Sequence, residues 1–127
     1  MSGNISSEYG NIVIDNEVIA KYAGQAAIDC FGIVGMASIS VKEGIATLLR
    51  GDSSTKGINV KIDEQNNIDI DFHIIVAYGV SIRTVVSNLI KTVRYQIEEM
   101  TDMKVKNINV YVEGVRVIVE GGNRSVT

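Results

Sequence analysis

Apolar and polar side chains alternate along two neighbouring stretches of the chain. Ile58, Val60 and Ile62 alternate with Asn59, Lys61 and Asp63. Further on, Ile68, Ile70, Phe72, Ile74 and Val76 alternate with Asp69, Asp71, His73, Ile75 and Ala77. A period of two with one apolar face predicts strands packed on one side and wet on the other. Paired residues of a hairpin share a face, so pairing Ile62 with Ile68 satisfies both apolar sets at once. That register leaves Glu64, Gln65 and Asn66 as the loop, with Asn66 tolerant of left-handed backbone. It also sets Lys61 against Asp69, Asn59 against Asp71 and Gly57 against His73.

Elsewhere the apolar period lengthens. After Asp15 and Asn16, which carry N-cap chemistry, Val18, Ile19, Tyr22, Ala23, Ala26 and Ala27 recur at helical spacing. A first helix is expected over 16–29, closed by Cys30 and Phe31 and stopped at Gly32. A second, longer helix follows "AYG". Its apolar stripe is Ile82, Val85, Val86, Leu89, Ile90, Val93, Ile97 and Met100. Short strands are expected over 9–14 and 33–41. A last strand holds Val105, Ile108, Val110 and Val112, and its phase slips after Glu113. A β-bulge at Gly114 accounts for that slip. The stretch 42–57 carries the weakest pattern, with "IATLL" at 45–49 reading as one or two helical turns before a loop.

The resulting order is β-α-β-β-β-α-β. One-faced strands and one-striped helices are all buried together in an α+β two-layer sandwich. It has one mostly antiparallel sheet and both helices on one face. A single domain is expected over 9–119, with flexible tails at 1–8 and 120–127.

Composition narrows the class. The chain has 127 residues, enough for one core. Net charge is −3, whereas affinity for nucleic acid comes from a basic surplus that neutralises phosphates, so a nucleic-acid-binding module is disfavoured. Cys30 is the one cysteine and has no intramolecular disulfide partner. A reducing, cytoplasmic setting is expected. The polar start lacks the pattern of a signal peptide, and no apolar run approaches the roughly 20 residues of a membrane span.

Candidate chemistry is sparse. Asp69, Asp71 and His73 are the residue types of a metal or hydrolytic site. On one strand they stand roughly 7 Å apart and do not converge, so a solvated sheet face outweighs a metal centre. Cys30 reads as a small core residue, since a nucleophile would need the chain's only histidine as its base. "GDSSTKG" at 51–57 has the composition of a phosphate loop but the wrong order, and it leads into a strand. "AYGVSIR" at 77–83 joins a strand to a helix and offers a weak anion site. Arg83, Ser87, Lys91 and Arg94 share one face of the second helix. Arg83, Lys91 and Arg94 are therefore candidate contacts for an acidic partner, weighed against a plain solvated face. Ile45, Leu48 and Leu49, with the segment 115–119, are candidates for self-association. No catalytic residue, metal ligand or cofactor site is assigned.

Several of these residues together resemble a known family. "GNIVIDNEVIAKYAGQAAIDCFGIVGM", then "KGINVKI", "IDIDFHIIVAYGVSI" and "EEMTDMKVKNINVYVEGV", are similar to the alkaline shock protein family of Gram-positive bacteria. The similarity covers about residues 9 to 115, and the short chain looks most like the YloU-like branch. The resemblance implies a non-catalytic cytoplasmic protein of stress and envelope homeostasis that self-associates as a scaffold or adaptor. It further implies two kinds of candidate partner: a small membrane-anchor protein, and a kinase of dihydroxyacetone-kinase or fatty-acid-kinase type. The family supplies no catalytic residues to carry over.

Overall fold

The computed structural model describes residues 3–40, 45–48, 55–119 and 122–125. The chain runs β1 (Gly3–Ser7), β2 (Gly10–Ile14), α1 (Asn16–Ile28), β3 (Ile33–Ser40), β4 (Ile45–Leu48), β5 (Ile58–Ile62), β6 (Asn67–Ala77), α2 (Ile82–Thr101), β7 (Lys104–Val119) and β8 (Gly122–Ser125). The fold is α+β, as the alternation of periods predicts.

β6 organises the main sheet. The second half of its one edge pairs with β3 and the first half with β5, both antiparallel, while the other edge carries β7 in parallel. β4 and β8 extend the sheet at its two ends. A parallel neighbour demands a crossover, and α2 provides it. The β5–β6 register is the one the alternation dictates: Ile62 opposite Ile68, Lys61 opposite Asp69 and Asn59 opposite Asp71. The amide of Asp63 donates to the Asn67 carbonyl, and Asn66 closes the loop at φ 63°. The slip in β7 is the expected bulge, since β6 passes from Ile74 opposite Val112 to Ile75 opposite Gly114.

One apolar cluster joins both helices to the inward residues of β3, β5, β6 and β7, with Phe72, Ile68, Ile70, Ile74 and Leu89 fully buried at its centre. Asp15 caps α1, its carboxylate accepting from the Glu17 amide, and Ser81 caps α2 through the Thr84 amide. Cys30 lies in the core, its thiol donating to the Ala26 carbonyl at 3.3 Å.

Several expectations are corrected. α1 buries Ile19, Ala20, Ala23, Gly24, Ala26 and Ala27 and leaves Val18 and Tyr22 exposed. The helix lies so close to β5 that a Cβ on Gly24 would stand 3.0 Å from Ile58 Cδ1. Apart from Ile19, that face is built of small residues, which lets the helix approach closely. Ile45–Leu48 is not helical but forms β4, paired with Ala37–Ser40. Four residues are too few to repay helix nucleation, whereas each gains strand hydrogen bonds at once. Leu49 lies outside the described residues. Gly3–Ser7, expected in a tail, pairs with Gly10–Ile14 as a separate two-stranded sheet, so β2 does not join the main one. Gly122–Ser125, also expected in a tail, pairs with β7. Backbone pairing asks little of side-chain pattern, and that is why both polar segments escape a hydropathy reading. Ile75, expected on the wet side, is buried. Its cross-strand neighbours are Gly35 and Gly114, so neither adjoining strand places a side chain beside it. Strands flanking a third lie about 9.5 Å apart in a flat sheet, yet Cα atoms of β3 and β7 come within 8 Å.

Candidate functional site

The outer face of the sheet carries the chemically capable residues, and it ties them to one another. Asp69 accepts from Asn107 Nδ2 at 3.1 Å, and Asp71 from Asn109 Nδ2 at 2.9 Å, each across the parallel β6–β7 ladder. His73 lies over its neighbour Tyr111, ring centroids 4.9 Å apart and planes 14° from parallel. Its Nδ1 is 3.6 Å from Glu113 Oε1. Glu113 is the residue that the bulge inserts, so the backbone irregularity aims a carboxylate at the imidazole. The two aspartates and the histidine thus form rungs of a polar ladder, the aspartates hydrogen-bonded sideways and the histidine stacked. Among the described residues, no three His, Cys, Asp or Glu side chains are grouped to hold a metal ion. Cys30, in the core, lies on the opposite side of the sheet from His73 and does not meet it.

On α2, Arg83 and Lys91 are exposed and Arg94 is half-buried. Glu98, four residues on from Arg94, has its carboxylate accepting from the Val105 amide at 2.9 Å. The helix has no acidic residue in its first turn and no basic residue in its last. Arg83 in the first turn and Glu98 and Glu99 in the last stand against the helix dipole, which favours anions at the start and cations at the end by typically about 0.3–1 kcal/mol per exposed charge. At the "AYGVSIR" turn, Gly79 adopts φ 91° and the Ser81 hydroxyl already serves the Thr84 amide. Of the self-association candidates, Ile45 and Leu48 lie in β4, and the segment 115–119 passes from pairing with β6, up to Arg116, to pairing with β8, from Arg116 to Val119. Of the phosphate-loop-like stretch, 51–54 lie outside the described residues. Gly57 is buried, and a Cβ there would meet the Ala37 carbonyl oxygen at 2.7 Å.

One feature was invisible to periodicity. Phe31, read only as the close of the first helix, is 79% exposed. With Ser81, Thr84, Val85 and Asn88 it lines a mostly apolar cavity of about 420 Å³ where α1 ends and α2 begins. Gly32 makes the corner possible. It sits at φ 86°, and a Cβ there would stand 2.5 Å from Val85 Cγ2. The Ala77 amide donates to the Gly32 carbonyl at 2.9 Å, and the Tyr78 amide to the Arg116 carbonyl at 2.8 Å, so this end is tied into one unit. Tyr78, Ile82 and Ile28 are exposed close by in the chain. The signal available beforehand was an aromatic residue beside a glycine at a helix end, which alone points nowhere.

The fold and the ladder thus define a small α+β domain whose polar residues are bonded among themselves. The alkaline shock protein family, described by its cell envelope-related function, matches residues 4–117. The chain belongs to that family. It is 44% identical over 118 residues to the uncharacterized protein YloU of Bacillus subtilis, covering 92% of this chain and 98% of the relative. It is 34% identical over 121 residues to the uncharacterized protein Spy1614 of Streptococcus pyogenes, covering 94% and 99%. A stress response regulator gls24 homolog of Streptococcus pyogenes is 24% identical over 107 residues, covering 84% of this chain and 59% of the relative. No solved structure gives a significant match. Among the described residues, no helix is long and apolar enough to cross a membrane.

Proposed function

We propose that this protein is a non-catalytic, self-associating scaffold or adaptor in envelope and stress homeostasis. The observation that carries the reading is the distribution of its surface. The groups with chemical capability are paired sideways on the sheet, and large apolar side chains stand exposed on the β1–β2 arm. Tyr9 is 95% exposed, Val13 64% and Ile12 50%. The arm is docked on the core through Ile5 and Ile14, so these three side chains are left over as apolar surface that a second copy could cover. A cytoplasmic position beneath the envelope, held by a membrane-anchor protein, fits a family described by envelope function. Sedimentation velocity over a wide concentration range tests the assembly. The protein should form concentration-dependent oligomers that weaken in Val13→Lys; a strict monomer throughout would remove self-association.

The kinase reading rests on a different surface, the cationic residues of α2. A kinase of the dihydroxyacetone or fatty-acid type should then be retained by the parent protein and lost with Arg83→Glu and Lys91→Glu. Nucleic acid fits less well, because the net charge of −3 opposes it.

A further inference from the structure

From the cavity between Phe31 and the first turns of α2, we infer a docking site for an acidic segment of a partner protein that inserts one large apolar side chain. This deepens the adaptor reading and rests on it, but it uses the opposite end of α1 from the β1–β2 arm.

Three observations choose that occupant. The surface is concave and mostly apolar, at about 420 Å³, within the roughly 300–1,000 Å³ of pockets that enclose compact ligands. A membrane surface takes up convex apolar protrusions, whereas a hollow between helices takes up a side chain. The rim supplies hydroxyls and an amide from Ser81, Thr84 and Asn88, groups that bond a peptide backbone and that lipid tails leave unpaired. The charge on the α2 side is positive. Arg83 and Lys91 are exposed, and no acidic residue stands in the first turn. Arg83, in the first turn, stands against the helix dipole, and Lys91 follows Asn88 by three residues on the same flank, so the charge that complements this side is acidic. Asp29, at the end of α1, marks the opposite flank and is drawn to Gln25 Nε2 at 3.4 Å. The acidic residues of the partner therefore belong on the α2 side.

The corner is also preformed. Gly32 against Val85, and the hydrogen bond from the Ala77 amide to the Gly32 carbonyl, fix the backbone that carries Phe31 without the partner. Preorganisation lowers the cost of binding, because less of the site is ordered when the ligand arrives.

The test uses the full chain, labelled with nitrogen-15, and synthetic peptides. The probe is a short peptide with glutamates flanking a Leu-Phe pair. One control replaces its glutamates by lysines, and a second replaces Leu-Phe by alanines. Vesicles of phosphatidylglycerol form a separate arm. Amide shifts are expected to cluster at Phe31, Ser81, Thr84, Asn88 and Lys91 with the acidic apolar peptide. Both controls should bind at least roughly tenfold more weakly. Phe31→Ser should weaken binding comparably, and Arg83→Glu with Lys91→Glu provides a second variant that leaves the apolar wall intact. No shifts at millimolar probe, equal shifts with the lysine peptide, or binding to vesicles alone would overturn the inference. Sedimentation of the same samples separates the two readings. Lost peptide binding with intact oligomers sinks this inference alone; lost oligomers with intact binding sinks only self-association.

Discussion

Asp63 and Asn66 show how much a single side chain contributes to the β5–β6 hairpin. Asp63 Oδ1 accepts from the amides of Asn67 and Gln65, both at 2.9 Å, and Oδ2 accepts from Asn67 Nδ2 at 3.2 Å. The backbone amide of Asn67 first, then its side-chain amide and the Gln65 amide, hold this carboxyl below its ordinary 3.8, with Lys106 adding to the effect against a partial loss of hydration. The folded form therefore binds a proton less readily than the unfolded one. Its stabilising contribution is present above 3.8 and is lost as pH falls through the depressed folded value. Asp63→Asn keeps the acceptor and removes the titration. Its stability should fall less steeply than the parent's below that pH, measured by urea unfolding at a series of pH values, and parallel curves would count against the assignment. Asn66 has two tasks. It takes φ 63°, and its side chain pairs with both backbone groups of Asn4, at 3.2 and 2.6 Å. The first task was legible from the alternation, because the register left a left-handed position there. The second was not, since Asn4 is far off in sequence. Asn66→Gly should keep the hairpin and release β1, seen as faster hydrogen exchange at Asn4 with β5 and β6 still protected. His73, stacked on Tyr111 and half-buried, should tolerate replacement by alanine at a cost below about 1.5 kcal/mol, the scale of one aromatic pair.

Elements pack here by close approach as much as by greasy bulk. Periodicity found both helices and their lengths, but it assigned α1 the wrong edge residues. Val18 and Tyr22 have the spacing of core residues and still lie outside, because Gly24 and the alanines are what fit against β5. Gly57 is a second contact of this type. Gly57→Ala forces a Cβ onto the Ala37 carbonyl, a rigid backbone atom, and should cost about 1–3 kcal/mol of overpacking by chemical denaturation. Leu89, fully buried on α2, was assigned to the core by its stripe alone. Leu89→Ala should lose about 2–5 kcal/mol through the cavity it leaves. β4 was missed because a four-residue strand carries too few positions to display a period. Its existence depends on β3 lying alongside.

For the molecule as a whole, two surfaces stand apart. The β1–β2 arm carries exposed apolar residues and is the surface proposed for self-association, and the Phe31 corner is the hollow proposed for an acidic partner. Variants on one should leave the other intact, since their effects on distant sites add nearly independently. Alternation and helical period determined the α+β class, the β5–β6 register, the bulge at Gly114 and the burial of Phe72 and Cys30, because each follows from where one chain segment must put its apolar side. The resemblance carried by residues 9 to 115 brought the family into view, and the match over 4–117 agrees. The tertiary structure alone decided three things: that Asp69 and Asp71 hydrogen-bond sideways to Asn107 and Asn109 while His73 stacks on Tyr111 beside Glu113, that Ile75 is dry, and that Phe31 overhangs a cavity. Each depends on which residues a parallel crossover and a glycine corner bring side by side, and no local pattern encodes a neighbour nearly forty or more positions away.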